Sequence, residues 1–134
     1  MAATIATARD LPGASGKVGV MGYCLGGLMT YLTAARIGAD ASVAYYGGRT
    51  DEFLGEAGGV HTPLLMHLGE EDEFISKDAQ ARIKAALGHN PSVEIHSYPG
   101  QMHAFAPHTG THYNEQAAAL ANGRTEAFFE KYLK

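Results

Sequence analysis

Cysteine is nearly absent from this sequence, because Cys24 is the only one among 134 residues. A single cysteine excludes an internal disulfide and fits a reducing compartment, so we expect a cytoplasmic protein. No apolar run approaches the roughly 18 residues that a membrane-spanning helix needs. Residues 1–11 contain one basic residue, Arg9, and no charged segment before an apolar core. They therefore do not resemble a secretory signal.

The sequence also lacks an excess of basic residues. It has 10 Lys and Arg against 14 Asp and Glu, a net charge of −4, and its basic residues are scattered. This composition argues against nucleic acid or an anionic membrane as a partner. With 46% hydrophobic residues and no linker or repeat, residues 1–134 are expected to form one domain with a real core.

Apolar runs alternate with helix-like segments along the chain. This alternation predicts an α/β fold, in which about four parallel strands form a sheet with helices on both faces. Right-handed crossovers would place successive strands side by side. Ser76 is a candidate N-cap and Gly88 a candidate C′ residue for one helix. We expect strands at 18–21, 41–46, 63–68 and 93–98, helices at 2–10, 28–37, 77–87 and 113–133 with a break near 122–123, and a loop or broken helix at 47–62.

Residues 22–27, Gly-Tyr-Cys-Leu-Gly-Gly, lie between a predicted strand and a predicted helix. Small residues two before and two after a nucleophile are typical of a nucleophile elbow, here with cysteine where serine is more usual. The tight turn leaves no room for side chains at the flanking positions. The following helix would point its N–H groups at the site, lower the thiol pKa and favour the thiolate. A lone cysteine can also be a small buried hydrophobe.

Two further chemical groups follow later strands. Asp72 lies in a turn after the third strand, and His103 lies in a loop after the fourth, so both should meet Cys24 at the carboxyl edge of the sheet. The order nucleophile, acid, histidine matches the α/β-hydrolase arrangement. His103 would act as the base, Asp72 would orient it, and the Leu25 N–H would bind the oxyanion.

Several neighbours compete with these assignments. Glu70, Glu71 and Glu73 flank Asp72 and could be simple solvated residues. His108 and His112 do not have helical ligand spacing, so we expect no metal, and no other cofactor is implied. The expected substrate contacts are Tyr23 and Tyr45, although Tyr46 also ends the second strand and core packing is an equal alternative. His61, His67, His89 and His96 are expected to be structural or solvated.

The sequence resembles the C-terminal portion of the dienelactone hydrolase family. The matching segments are residues 16–27, Tyr45-Tyr46-Gly47, residues 67–72, His103-Ala104-Phe105 and residues 117–122. The resemblance implies a truncated α/β-hydrolase fold, a catalytic set of Cys24, Asp72 and His103, and opening of a dienelactone ring. About the first half of the family's domain has no counterpart here. That half would supply a second oxyanion donor, a glutamate that influences the resting cysteine, and a substrate-binding arginine.

The resemblance also bears on the substrate. A second substrate-binding arginine of the family corresponds to Pro107 here, so we expect small neutral esters or lactones rather than an anionic dienelactone. The expected activity is ester or lactone hydrolysis through a thioester acyl-enzyme.

Two other functions stay open, a weak or inactive half-domain that binds through an exposed sheet edge and a redox-sensing thiol. The latter is disfavoured because no resolving cysteine is present. The apolar edge at residues 17–21 predicts a homodimer or higher homo-oligomer.

Overall fold

A computed structural model describes residues 1–134 and contains a single sheet of four parallel strands. The strands lie in chain order, β1-β2-β3-β4, as expected from right-handed crossovers between neighbours. The predicted α/β fold is confirmed. The bounds are β1 (Gly19–Tyr23), β2 (Ala41–Tyr45), β3 (Leu64–Gly69) and β4 (Val93–Tyr98).

Helices cover both faces of this sheet. Gly19 and Gly22 in β1 are three positions apart and therefore face opposite sides. A Cβ at Gly22 would meet Thr30 in the second helix, whereas a Cβ at Gly19 would meet Phe129 in the last helix. The helices are α1 (Ala2–Arg9), α2 (Leu25–Arg36), α3 (Lys77–Leu87) and α4 (Glu115–Leu133), with a kinked 3₁₀ segment at Thr50–Gly59.

Local capping explains where α3 and α4 begin. The Ser76 hydroxyl accepts a hydrogen bond from the Ala79 N–H at 3.1 Å, as predicted, and Asn114 caps Ala117 in the same way at 2.9 Å. Two expectations about the helices are wrong, one about an end and one about an internal break. Gly88 has a φ of −65°, so it continues the right-handed turn instead of forming a left-handed C′ residue. Helix α4 runs unbroken through residues 122–123, because its buried face packs on the sheet on both sides of that point.

Strand β1 is an edge strand, in agreement with the edge expected at residues 17–21. It pairs only with β2, whereas β2 and β3 are buried along their whole length. Met21 and Tyr23 are each 43% exposed on the α4 side of this edge. No helix of the chain has the length and apolar character that a membrane crossing requires.

Candidate active site

The turn between β1 and α2 has the strained geometry of a nucleophile elbow. Cys24 has a φ of 58°, a left-handed value that is uncommon for a residue with a side chain. Its N–H donates to the Tyr45 carbonyl at 3.1 Å, which ties the turn to the end of β2. Cys24 is also the N-cap of α2, so the helix begins three residues earlier than predicted.

Two glycines make this turn possible. The expected pair was Gly22 and Gly26, and the structure shows Gly22 and Gly27. A Cβ at Gly22 would lie 2.1 Å from the Gly26 carbonyl oxygen. A Cβ at Gly27 would lie 2.5 Å from the Tyr45 carbonyl oxygen and 2.9 Å from the Gly47 Cα. A Cβ at Gly26 would meet nothing within 4 Å. The second close approach therefore falls three residues after Cys24, at Gly27, because α2 crosses the end of β2 there.

Leu25 is the first residue of α2, and its N–H has no partner within the helix. Such an N–H next to a nucleophile is the usual position of an oxyanion donor in this kind of turn. The Leu25 side chain is 69% exposed, so it does not close the site.

The electrostatics of Cys24 differ from the expectation. Burial raises the pKa of the Cys24 thiol, and the negative charge of Asp72 raises that pKa further. The N-terminus of α2 acts in the opposite direction. The net direction is a raised pKa, whereas the sequence reasoning expected a lowered one.

Asp72 and His103 form a buried pair. The Asp72 Oδ2 lies 2.8 Å from the His103 Nδ1, and the Asp72 side chain has no exposed surface. The other carboxylate oxygen accepts the N–H groups of Phe74 at 2.7 Å and Ile75 at 3.1 Å. Asp72 is thus held by the turn after β3 while it contacts a histidine from the loop after β4. Among the competing acids, Glu71 pairs with Lys77 at the surface, 3.0 Å away.

Cys24 and His103 line one open cleft of about 300 Å³ at the carboxyl edge of the sheet. This volume is at the lower end of the range for small-molecule sites. No hydrogen bond joins the Cys24 thiol to the His103 ring. A larger groove of about 630 Å³ runs along α4, but it contains no nucleophile and no histidine. The complete lining of the smaller cleft is Cys24, Leu25, Gly48, Arg49, Phe74 and His103.

Arg49 and Phe74 are cleft residues that the sequence reasoning missed. Arg49 has a φ of 68°, and its guanidinium binds the Glu52 carboxylate at 2.7 and 3.3 Å. The Phe74 ring stands edge-on to the His103 ring with centroids 4.9 Å apart. The signal was available, because these residues follow the ends of β2 and β3, where side chains reach the same edge as Cys24.

The structure does not bring Tyr23 and Tyr45 into this cleft, which corrects their expected role. Tyr45 is fully buried, and its hydroxyl lies 2.7 Å from both Asn122 Oδ1 and Thr125 Oγ1 in α4. The Tyr23 ring packs on Tyr45 with centroids 4.5 Å apart, on the same α4 side. Tyr46 is instead the neighbour of the site, with its buried ring 5.1 Å from the His103 ring.

His67 belongs to the core and not to the cleft. It is completely buried, and its two ring nitrogens lie 2.8 Å from Tyr98 Oη and 2.9 Å from Thr125 Oγ1. Burial lowers the pKa of His67 from 6.5 to about 3, so this ring is neutral at ordinary pH. No three His, Cys, Asp or Glu side chains are grouped so that they could hold a metal ion.

Comparison with known proteins gives a consistent result. The model of the dienelactone hydrolase family matches residues 1–133. A relative from Azospirillum brasilense is 47% identical over 109 residues, which cover 81% of this chain and 47% of the relative. The carboxymethylenebutenolidase of Pseudomonas putida is 39% identical over 122 residues, which cover 91% of this chain and 52% of the relative.

The fold has solved counterparts as well. A structure from Klebsiella pneumoniae is 29% identical with a TM-score of 0.87, and the match covers 96% of this chain and 58% of that one. The chain spans about half the length of the curated relatives it matches.

Proposed function

Because this chain belongs to the dienelactone hydrolase family, we propose that it hydrolyses small carboxylic esters or lactones with Cys24 as nucleophile. The observation that carries the proposal is the 2.8 Å contact between His103 Nδ1 and the buried Asp72 carboxylate, beside the cleft that contains Cys24. A carboxylate that accepts from Nδ1 leaves Nε2 as the basic nitrogen of a neutral ring. The pair is therefore suited to remove a proton from the thiol.

The proposed reaction has two halves. His103 Nε2 takes the Cys24 proton as the sulfur attacks the carbonyl carbon, and the oxyanion faces the Leu25 N–H. The tetrahedral intermediate collapses to a thioester, and the departing alcohol oxygen takes the proton from His103. A water molecule then gives a proton to His103 and attacks the thioester. Collapse releases the carboxylic acid and returns the proton to the Cys24 sulfur.

Asp72 supports both halves of this reaction. It accepts the Nδ1–H, which fixes the ring tautomer, and its charge stabilises the imidazolium that forms when Nε2 is protonated. The two backbone N–H groups that hold Asp72 keep it in place while His103 changes charge. The Asp72 carboxylate thus acts on the chemistry through His103.

The charge balance of the cleft supports a neutral substrate. Arg49 is its one basic side chain other than His103, and Glu52 neutralises it through two hydrogen bonds. The cleft is otherwise apolar at Phe74 and Leu25, which suits a short acyl or lactone group. The name of the relatives, carboxymethylenebutenolidase, denotes a lactone that carries a carboxyl group, so it agrees with the proposed lactone but not with the proposed neutrality.

Hydrolysis of p-nitrophenyl acetate tests the proposal. The parent protein should release p-nitrophenol slowly, with a burst equal to the amount of Cys24, and Cys24→Ala should abolish the burst. Asp72→Asn should keep the thiol but lower kcat by about 10²-fold or more, because the histidine loses its orienting charge. Full activity in Cys24→Ala would show that the nucleophile is another residue.

A second candidate function is binding or assembly through β1. Met21 and Tyr23 are each 43% exposed at this edge, and outward backbone groups of an edge strand can pair with another chain. We therefore also propose a homo-oligomer, most simply a two-fold dimer through β1. The ester assay separates the two functions. A half-domain with only one oxyanion donor would hydrolyse the ester about 10²–10³-fold more slowly than a site with two donors. Sedimentation velocity at micromolar concentration tests the oligomer, and a stable monomer contradicts it.

The proposed compartment is the cytoplasm. The support is Cys24, a single half-buried thiol that has no disulfide partner in the chain.

A further inference from the structure

The loop that carries His103 has little regular structure of its own. Residues 99–114 form turns and bends between β4 and α4. Ala104, the next residue after His103, has a φ of 59°, which is a left-handed conformation for a residue with a Cβ. Such a conformation costs of order 1–3 kcal/mol and persists only where surrounding contacts hold it.

Two side chains hold the backbone on either side of His103. The His103 N–H donates to Glu73 Oε1 at 3.0 Å. The His103 carbonyl oxygen accepts from His112 Nδ1, also at 3.0 Å. The other oxygen of Glu73 lies 3.7 Å from the same His112 nitrogen, so the two side chains are neighbours on one side of His103.

Together with Asp72, these contacts hold both the side chain and the backbone of His103. Glu73 follows Asp72 directly in the turn after β3, so the same short turn holds the His103 ring through Asp72 and its backbone through Glu73. His112 approaches from the far end of the loop and fixes the opposite peptide group. The position of an imidazole nitrogen is accurate only when the backbone that carries the ring is fixed. Misplacing a catalytic group by about 1 Å can lower the rate by about 10²-fold.

We propose that Glu73 and His112 are positioning residues that clamp the His103 backbone and thereby aim its imidazole at Cys24. The inference rests on the proposed function for its catalytic consequence. The clamp itself is a structural property of the loop that can be measured without any substrate.

The charge state of Glu73 agrees with this role. Backbone hydrogen bonds, from its own N–H and then from the His103 N–H, lower the pKa of Glu73, and the nearby His112 and His103 lower it further. Glu73 is therefore ionised at neutral pH and accepts from the His103 N–H with a full charge. His112 Nδ1 must carry a proton to donate to the carbonyl oxygen, and a proton there also faces Glu73.

The test uses matched variants of both clamp residues. Glu73→Ala removes the acceptor, whereas Glu73→Gln keeps an amide oxygen in its place. His112→Ala removes the donor, whereas His112→Asn keeps an N–H near the position of Nδ1. Glu71→Ala is the control for the acidic turn, since that side chain pairs with Lys77 instead. His108→Ala is the control for the loop, since its exposed side chain makes no hydrogen bond.

Two measurements are made on every variant. Hydrogen exchange followed by NMR reports the protection of the His103 amide, and ester hydrolysis reports kcat and KM separately. We expect Glu73→Ala to speed exchange of the His103 amide and to lower kcat by about 10- to 100-fold, with KM nearly unchanged. His112→Ala should lower kcat in the same way. Glu73→Gln and His112→Asn should recover most of kcat, and both controls should match the parent.

The outcomes are distinguishable. If Glu73→Ala and His112→Ala match their controls in both measurements, the clamp is refuted. If Glu73→Ala speeds exchange but leaves kcat at the parent value, the positioning role is refuted. If the parent hydrolyses no ester, the proposed function fails, and unchanged His103 exchange in Glu73→Ala would still overturn the clamp. Circular dichroism checks folding, and if one alanine variant does not fold, the other one, which removes the contact on the opposite side of His103, decides the test.

Discussion

Two adjacent glycines of the elbow should respond to the same substitution with opposite effects on stability. Gly26→Ala adds a Cβ that meets nothing within 4 Å, in the first turn of α2. Gly27→Ala adds a Cβ 2.5 Å from the Tyr45 carbonyl oxygen and 2.9 Å from the Gly47 Cα. Both colliding atoms belong to backbone at the end of β2, which is buried and paired on both sides, so neither can move aside by a change of rotamer.

The magnitudes follow from these contacts. Alanine is favoured over glycine inside a helix by up to about 1 kcal/mol, so Gly26→Ala should raise the free energy of unfolding by up to that amount. Gly27→Ala gains the same helix-propensity stabilisation. It also adds an overpacking cost of about 1–3 kcal/mol, and we expect the upper end for a collision with backbone atoms. The net change at Gly27 is therefore a loss of about 1–2 kcal/mol. The two variants should differ by about 2–3 kcal/mol.

Urea denaturation followed by circular dichroism measures this difference. With a slope of about 1–3 kcal/mol per molar urea, the midpoints of the two variants should lie about 1 M apart. Ester hydrolysis should fall in Gly27→Ala, because relieving the collision must shift α2 and with it Cys24, and should persist in Gly26→Ala. Equal midpoints, or a midpoint of Gly27→Ala above that of the parent, would refute the close approach of α2 to β2.

Three further predictions concern charge. The pKa of His67 is lowered to about 3, so the unfolded chain takes up a proton below about 6.5 while the folded chain does not. Stability should therefore fall as the pH drops from about 6.5 towards 3, and His67→Gln should flatten this dependence in urea denaturation. Alkylation of Cys24 by iodoacetamide should be slow at pH 7 and rise towards pH 9 and above. Asp72→Asn should shift that profile to lower pH, and an unshifted profile would contradict the effect of Asp72 on the thiol. Glu52→Gln should free Arg49 and raise kcat/KM for an anionic succinate monoester relative to a neutral ester by about 2- to 5-fold, the scale of an exposed ion pair. An unchanged ratio would show that Arg49 does not face the substrate.

Local sequence signals predicted some elements residue by residue. Helix α3 has the predicted bounds because Ser76 supplies a cap and the apolar face repeats at helical spacing. Strand β4 also has the predicted bounds, at Val93–Tyr98. The start of α2 was missed because its N-cap is Cys24, which makes no side-chain capping bond and has a left-handed φ. The pattern of residues 22–27 predicted the tight turn at Cys24, but it did not show that α2 begins within that same turn.

The position of Tyr45 also depends on non-local information. Tyr23, Tyr45 and His67 are in register across β1, β2 and β3, so all three side chains emerge on the same face of the sheet. That face is covered by α4, whose Thr125 contacts both Tyr45 and His67. The sequence placed the tyrosines at the correct end of a strand but did not reveal the register. Tyr46, one residue later, leaves the strand with a φ of 37° and reaches the His103 side instead.

The resting state of Cys24 depends on which of two opposing effects is larger. A helix N-terminus stabilises a nearby negative charge by about 0.3–1 kcal/mol, which corresponds to less than one pKa unit. Burial and the charge of Asp72 act against it and raise the pKa of the thiol. Asp72 thus disfavours an isolated thiolate, yet it favours an imidazolium on the His103 ring that it contacts. In the proposed mechanism the proton moves from Cys24 to His103. The sulfur then faces an imidazolium, which screens the charge of Asp72, so Asp72 no longer disfavours the thiolate. In that mechanism the thiolate forms by proton transfer at the moment of attack, so we expect reagents that need a preformed thiolate to react slowly, while esters that fit the cleft still acylate Cys24.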